Sequence, residues 1–135
     1  MEKAMEYFEK AIEIDPEWAA PYTGLAEAWA GLGYFGFIPE NIGYQNSYKY
    51  LNKALELDPN SAYSHYVVAK LAVWGEWDWE KGEGEFLKSL ELNPNDALCR
   101  MYYAHLLMIL RRSDEAVYHA KLGLELDPMK PLVLG

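Results

Sequence analysis

A six-residue ending recurs four times in this 135-residue chain: Ala11-Ile12-Glu13-Ile14-Asp15-Pro16, Ala54-Leu55-Glu56-Leu57-Asp58-Pro59, Ser89-Leu90-Glu91-Leu92-Asn93-Pro94 and Gly123-Leu124-Glu125-Leu126-Asp127-Pro128. The prolines stand 43, 35 and 34 residues apart. A period of that length belongs to stacked supersecondary units, each of which buries its apolar face only against its neighbours.

Counting back from each proline, the twelfth residues are Ala4, Ser47, Gly82 and Ala116, and the fifth are Ala11, Ala54, Ser89 and Gly123. All are small. Two small residues seven apart share a helix face, giving a flat strip on which another helix can lie closely. Phe8, Leu51, Phe86 and Ala120 stand between them as core positions. The Asp or Asn before each proline ends the helix, because the ring pushes the preceding residue out of the α region. Ser61 and Asp96 offer N-caps for the helices that follow, Asp78 offers another, and Pro21 suits a first turn.

Counting forward gives a second helix: Tyr22, Leu25-Ala26 and Trp29, then His65, Val68-Ala69 and Ala72, then Arg100, Tyr103-Ala104 and Leu107. The forward pattern resembles W-x2-L-G-x2-Y and the backward one A-x3-F-x2-A-x4-P. Together they resemble the tetratricopeptide repeat, an antiparallel helix pair of about 34 residues. Departures are His65 and Arg100 in the first aromatic slot, and the two longer spacings. The resemblance implies an all-α, right-handed solenoid of antiparallel helix pairs.

The expected helices are 2 to 14 alone, 18 to 33 with 44 to 57, 61 to 74 with 79 to 92, and 96 to 110 with 114 to 126. In domain terms these make a half repeat (1–16), a repeat with an insertion at 34–43 (17–59), two further repeats (60–94 and 95–128) and the start of another helix (129–135). The chain is thus expected to be a piece of a longer array. Its aromatic insertion, Trp77-Asp78-Trp79 turn and Glu-Leu-Asp-Pro endings are similar to tetratricopeptide segments of bacterial multidomain regulators.

A net charge of −9, from 12 Lys+Arg against 21 Asp+Glu, argues against nucleic acid as a partner, since phosphate binding needs a basic face. The single cysteine, Cys99, excludes an intrachain disulfide framework and reads as a small buried hydrophobe. With no basic, apolar leader at the start, the expected compartment is cytoplasmic. Residues 19 to 39 carry only Glu27 as a charge, yet four glycines and two prolines interrupt them, so no membrane span is expected.

No phosphate loop, zinc-protease motif or nucleophile elbow appears, and no cofactor or metal is expected. Glu115 and His119 stand four apart on one helix face, which fits an exposed contact better than a ligand pair. The expectation is a non-catalytic scaffold for protein-protein interaction.

In the family that the chain resembles, first helices line a concave groove for a partner segment. That implies groove positions at Ala20, Thr23, Glu27, Ala30 and Gly31, then Tyr63, Tyr66, Lys70, Val73 and Trp74, then Leu98, Met101, His105, Met108 and Ile109. Thr23, Glu27, Tyr63, Tyr66, Lys70, Trp74, Leu98, Met101 and His105 are the candidate site. Some family members grip a terminal carboxylate with Lys, Asn and Arg, of which only Lys70 is present. Aromatic and Met side chains instead suit an interface core. Val73, Met108 and Ile109 are the positions most suited to packing on a neighbouring helix.

Tyr34, Phe35, Phe37 and Ile38 in the insertion are expected to fold back on their own repeat, or else to join a partner site. Met5, Phe8 and Ile12 on the first helix, and Ala116, Ala120 and Gly123 on the last, are expected to be open faces through which copies self-associate as a homo-oligomer. The alternative function is thus a self-association module of a larger bacterial regulatory protein.

Overall fold

The computed structural model describes residues 2–126, and among them are seven α-helices, one π-helical turn and no strand. They are α1 (Glu2–Ile14), α2 (Ala19–Tyr34), α3 (Glu40–Leu57), α4 (Ala62–Lys70, continued by the π-helical turn Leu71–Gly75), α5 (Trp79–Leu92), α6 (Ala97–Ile109) and α7 (Ser113–Leu126). The expected helix start in 129–135 lies outside the described residues.

Local chemistry sets the boundaries. The Ser61, Asp78 and Asp96 side chains accept from the backbone N–H of Ser64, Lys81 and Cys99, as three N-caps. Asp58 and Asn93, each before a proline, leave the helix at φ −146 and −145. Tyr22, His65 and Arg100 then reach back to the carbonyl oxygen of the proline six residues earlier. Tyr22 Oη lies 2.9 Å from Pro16 O, His65 Nε2 2.8 Å from Pro59 O, and Arg100 Nη2 2.9 Å from Pro94 O. Three unlike side chains in one slot hold each turn closed.

The helices pair as α2 with α3, α4 with α5, and α6 with α7, and the contacts show that they run antiparallel. Gly33 meets Gly43 while Ala26 accepts a 2.7 Å hydrogen bond from Ser47. Gly82 meets Val73 while Ala62 accepts one of 2.8 Å from Ser89. The small positions are therefore buried between the helices of each pair, where hydroxyls satisfy backbone carbonyls. One core, including Leu51, Val67, Phe86, Cys99, Leu106 and Leu107, runs through the stack. Burial raises the Cys99 thiol to about 11, so it stays protonated and inert.

Several expectations need correction. Half of the insertion 34–43 is helix: α2 runs to Tyr34 and α3 begins at Glu40 under the Pro39 N-cap, leaving five residues between them. Gly33 and Gly43 bring the two backbones so close that a Cβ on Gly43 would lie 2.8 Å from Trp29 O. The aromatics do not fold back into the core: Phe35 and Phe37 are 69% and 74% exposed, and Tyr34 and Phe35 line the concave side of the stack.

The interval from Pro59 to Pro94 is one residue longer than the 34-residue period, and the end of α4 takes up the extra residue as the π-helical turn, where Glu76 N–H donates to Leu71 O at 3.0 Å.

On α7, Ala116 and Gly123 are buried, with Gly123 against Ala97 and Met101 of α6. They face their own pair and are not open. On α1, Phe8 packs forward onto Gly24 of α2, and the most exposed large apolar residues are Tyr7 and Ile14.

Candidate partner-binding groove

The first helices α2 and α4 bring a concavity of about 540 Å³ together, with α1 at one end and α6 at the other. Glu27, Lys70 and His105, the eleventh residues after their prolines, all line it, as do Ala30, Gly31 and Trp74. Glu27 is the hub of its polar chemistry. Its carboxylate accepts from Lys70 Nζ at 2.6 Å and from Tyr63 Oη at 2.5 Å. Lys70 Nζ also lies 4.6 Å from the Tyr66 ring centre and 5.1 Å from that of Tyr102. Burial first, and the Glu27 carboxylate second, push the Tyr63 phenol far above its ordinary value, so it remains a donor.

Trp74 forms the floor, its ring 5.7 Å from Tyr102, 5.4 Å from His105 and 6.4 Å from Phe86. Such edge and tilted arrangements hold the rings in fixed orientations.

Several expected positions lie elsewhere. Thr23 is fully buried, its hydroxyl 2.8 Å from that of Ser64, and Tyr66 is 3% exposed within the core. Both point between helices because residues seven after the proline sit one step of about 100° inward from the groove face. Tyr63 stands at the rim, bound to Glu27, and Leu98 packs beside the core. Met101 lines a separate notch of about 300 Å³ between α6 and α7, with Met108, Val117 and Ala120.

Val73 is buried as packing suggested, whereas Met108, at 56%, and Ile109 are exposed. Gly24, Val67 and Tyr102 line the concavity without having been singled out. They share one signal, standing eight residues after Pro16, Pro59 and Pro94.

Glu115 and His119 form no ligand pair. Glu115 is bound by Arg112 at 2.5 Å, and His119 Nδ1 accepts from Arg100 Nη1 at 2.9 Å. Burial chiefly, and Arg100 next, lower the His119 pKa. Among the described residues no group of three His, Cys, Asp or Glu is placed to hold a metal, and no helix is long and apolar enough to cross a membrane.

Residues 1–17 and 44–61 match the tetratricopeptide repeat family model. Those two segments resemble tetratricopeptide repeats, and the described residues have the fold of a tetratricopeptide stack. A thermophilic tetratricopeptide-repeat protein of Thermus thermophilus superimposes with a TM-score of 0.78 at 22% identity, over 96% of this chain and 67% of that one. Yeast Tom70 does so with a TM-score of 0.60 at 25% identity, over 94% of this chain and 25% of that one. The sequence is also similar to the transcriptional regulator HilA of Salmonella typhimurium, 22% identical over 142 residues. That alignment takes in 96% of this chain, which spans 23% of the length of this curated relative.

Proposed function

We propose that this chain is a non-catalytic scaffold whose concave face binds an apolar segment of a partner protein. The observation that supports the reading is the groove's economy of charge. Its one carboxylate and one ammonium, Glu27 and Lys70, are joined at 2.6 Å, and around them stand Phe8, Trp74 and Tyr102. A ligand carboxylate would have to displace Glu27 from Lys70, whereas an apolar side chain needs no exchange of partners. Aromatic anchors in a desolvated depression are the usual seat of binding energy.

Peptides selected on the wild-type chain from a random display library test this. They should be rich in apolar and aromatic residues, and Trp74→Ala with His105→Ala should weaken them by roughly tenfold or more. Undiminished binding by a folded double variant would rule the groove out.

A second reading, self-association within a larger bacterial regulatory protein, is favoured by the apolar notch between α6 and α7 and by the likeness to a transcriptional regulator. Light scattering after gel filtration should then show mass rising with concentration, and Val117→Glu should abolish the rise. A monomer at several hundred micromolar would overturn that reading.

A further inference from the structure

The turns inside the first two helix pairs lie side by side. Tyr44 of α3 rests on Gly75, where a Cβ would stand 2.9 Å from its ring, and Tyr48 of α3 donates to Glu76. The residues between α2 and α3 are thus adjacent to those between the π-helical turn and α5. This edge exposes Phe37 and Trp77, with Trp79 partly covered, while Phe35 lines the concavity. Trp77, 72% exposed, is held at φ 58, a left-handed conformation that costs a residue with a side chain energy. A large apolar ring is therefore held in solvent by strained backbone, on an edge where the Phe37 ring is exposed as well, and exposed apolar side chains of this size mark interaction surfaces.

The charges along the edge are one-sided. The two turns and the first helical turns after them carry Glu40, Glu76, Asp78 and Glu80 against a single base, Lys81, which is itself 3.7 Å from Glu76. Asp78 spends one oxygen on the N-cap, and the other carboxylates keep open acceptor positions.

We infer that this edge is a second docking surface, centred on Phe37 and Trp77 beside the concave groove, and that its occupant is a cationic amphipathic peptide segment of another protein. Arg or Lys on such a segment would meet the carboxylates and the aromatic faces together, while its apolar side chains cover Phe37 and Trp77. An anionic lipid surface is disfavoured by the same four carboxylates.

The test titrates the whole chain with a synthetic peptide of alternating Arg and Leu, and with its Glu–Leu counterpart, by calorimetry. The Arg–Leu peptide should bind and the Glu–Leu peptide should not. Phe37→Ala with Trp77→Gly should weaken the Arg–Leu peptide by about tenfold or more. The glycine relieves the left-handed backbone, so the melting temperature should hold or rise.

Three controls bear on the source of binding. Glu6→Gln, Glu9→Gln and Glu13→Gln together, on α1, should leave affinity within about twofold, because screened charges off the patch contribute little. Trp74→Ala should also leave it unchanged. Vesicles of phosphatidylcholine, with or without phosphatidylserine, should not sediment the chain. Equal binding of both peptides, an undiminished Phe37/Trp77 variant, an α1 variant as weak as the edge variant, or vesicle binding lost with Trp77→Gly would each overturn the proposal.

Discussion

The hydroxyls of Thr23 and Ser64 meet at 2.8 Å, both side chains fully buried, and so join α2 to α4 across 41 residues of sequence. Each satisfies the other where water does not reach. Removing one partner strands the second, so Thr23→Val and Ser64→Ala should each cost about 1 to 3 kcal/mol in urea unfolding. The double variant should cost less than the sum, since it leaves neither hydroxyl unpaired. Strict additivity would show that the pair carries no coupling.

Acid should weaken the fold in two separate steps. His119 has a folded pKa lowered by burial and by Arg100, so the unfolded chain takes up its proton first as pH falls below about 6.5. Stability is complete above that value and declines below it, until the folded-state pKa is passed. Glu83, lowered chiefly by its hydrogen bond from Arg112, contributes above the unfolded carboxylate value of about 4.3 and loses its contribution below it. Urea midpoints between pH 7 and 5 should therefore flatten in His119→Asn, while the drop at lower pH persists. A pH 7 to 5 slope unchanged by that substitution would refute the assignment.

Two glycines should respond to alanine with opposite signs. A Cβ at Gly43 would lie 2.8 Å from the backbone oxygen of Trp29, so α2 and α3 must separate, at a cost of roughly 1 to 3 kcal/mol. Gly84, exposed within α5, has nothing within 4 Å of a Cβ. Gly84→Ala should raise stability by up to about 1 kcal/mol through helix propensity. Thermal melts of the two variants settle both signs.

The proline-carbonyl contacts should matter to a similar degree despite their different chemistry. Tyr22→Phe removes only the hydroxyl that reaches Pro16 O, and should cost about 0.5 to 1.5 kcal/mol. Arg100→Met removes the contact to Pro94 O together with the one to His119, and should cost more. A neutral Tyr22→Phe in chemical denaturation would mean that solvent replaces the phenol.

The helices, their caps and their pairing were legible because each rests on local rules: a proline, a side-chain oxygen, a strip of small residues. Even His65 and Arg100, departures from the aromatic slot, keep its place by binding the same carbonyl as Tyr22. The groove was half legible. Glu27, Lys70 and His105 line it as their offset implied, but Thr23 and Tyr66 turn inward, and Gly24, Val67 and Tyr102 lie one residue along. A single residue is a large rotation on a helix, and periodicity alone does not say which of two adjacent offsets faces out. The exposure of Phe35 and Phe37 was illegible for another reason, since it depends on the path of the five residues between α2 and α3, which no helical period governs.

The π-helical turn Leu71–Gly75 shows how such a stack can acquire novelty. At the fourteenth residue after the proline, Ala30 lines the groove and Met108 is exposed, but Val73 is buried. One residue slipped into the helix accompanies the inward turn of Val73, while Trp74 lines the groove at the same offset as Gly31. The caps at both ends stay in register, so neighbouring repeats do not register the change. Drift in repeat length is then a steering adjustment, by which a lineage re-aims a binding residue without building a new loop or disturbing the units on either side.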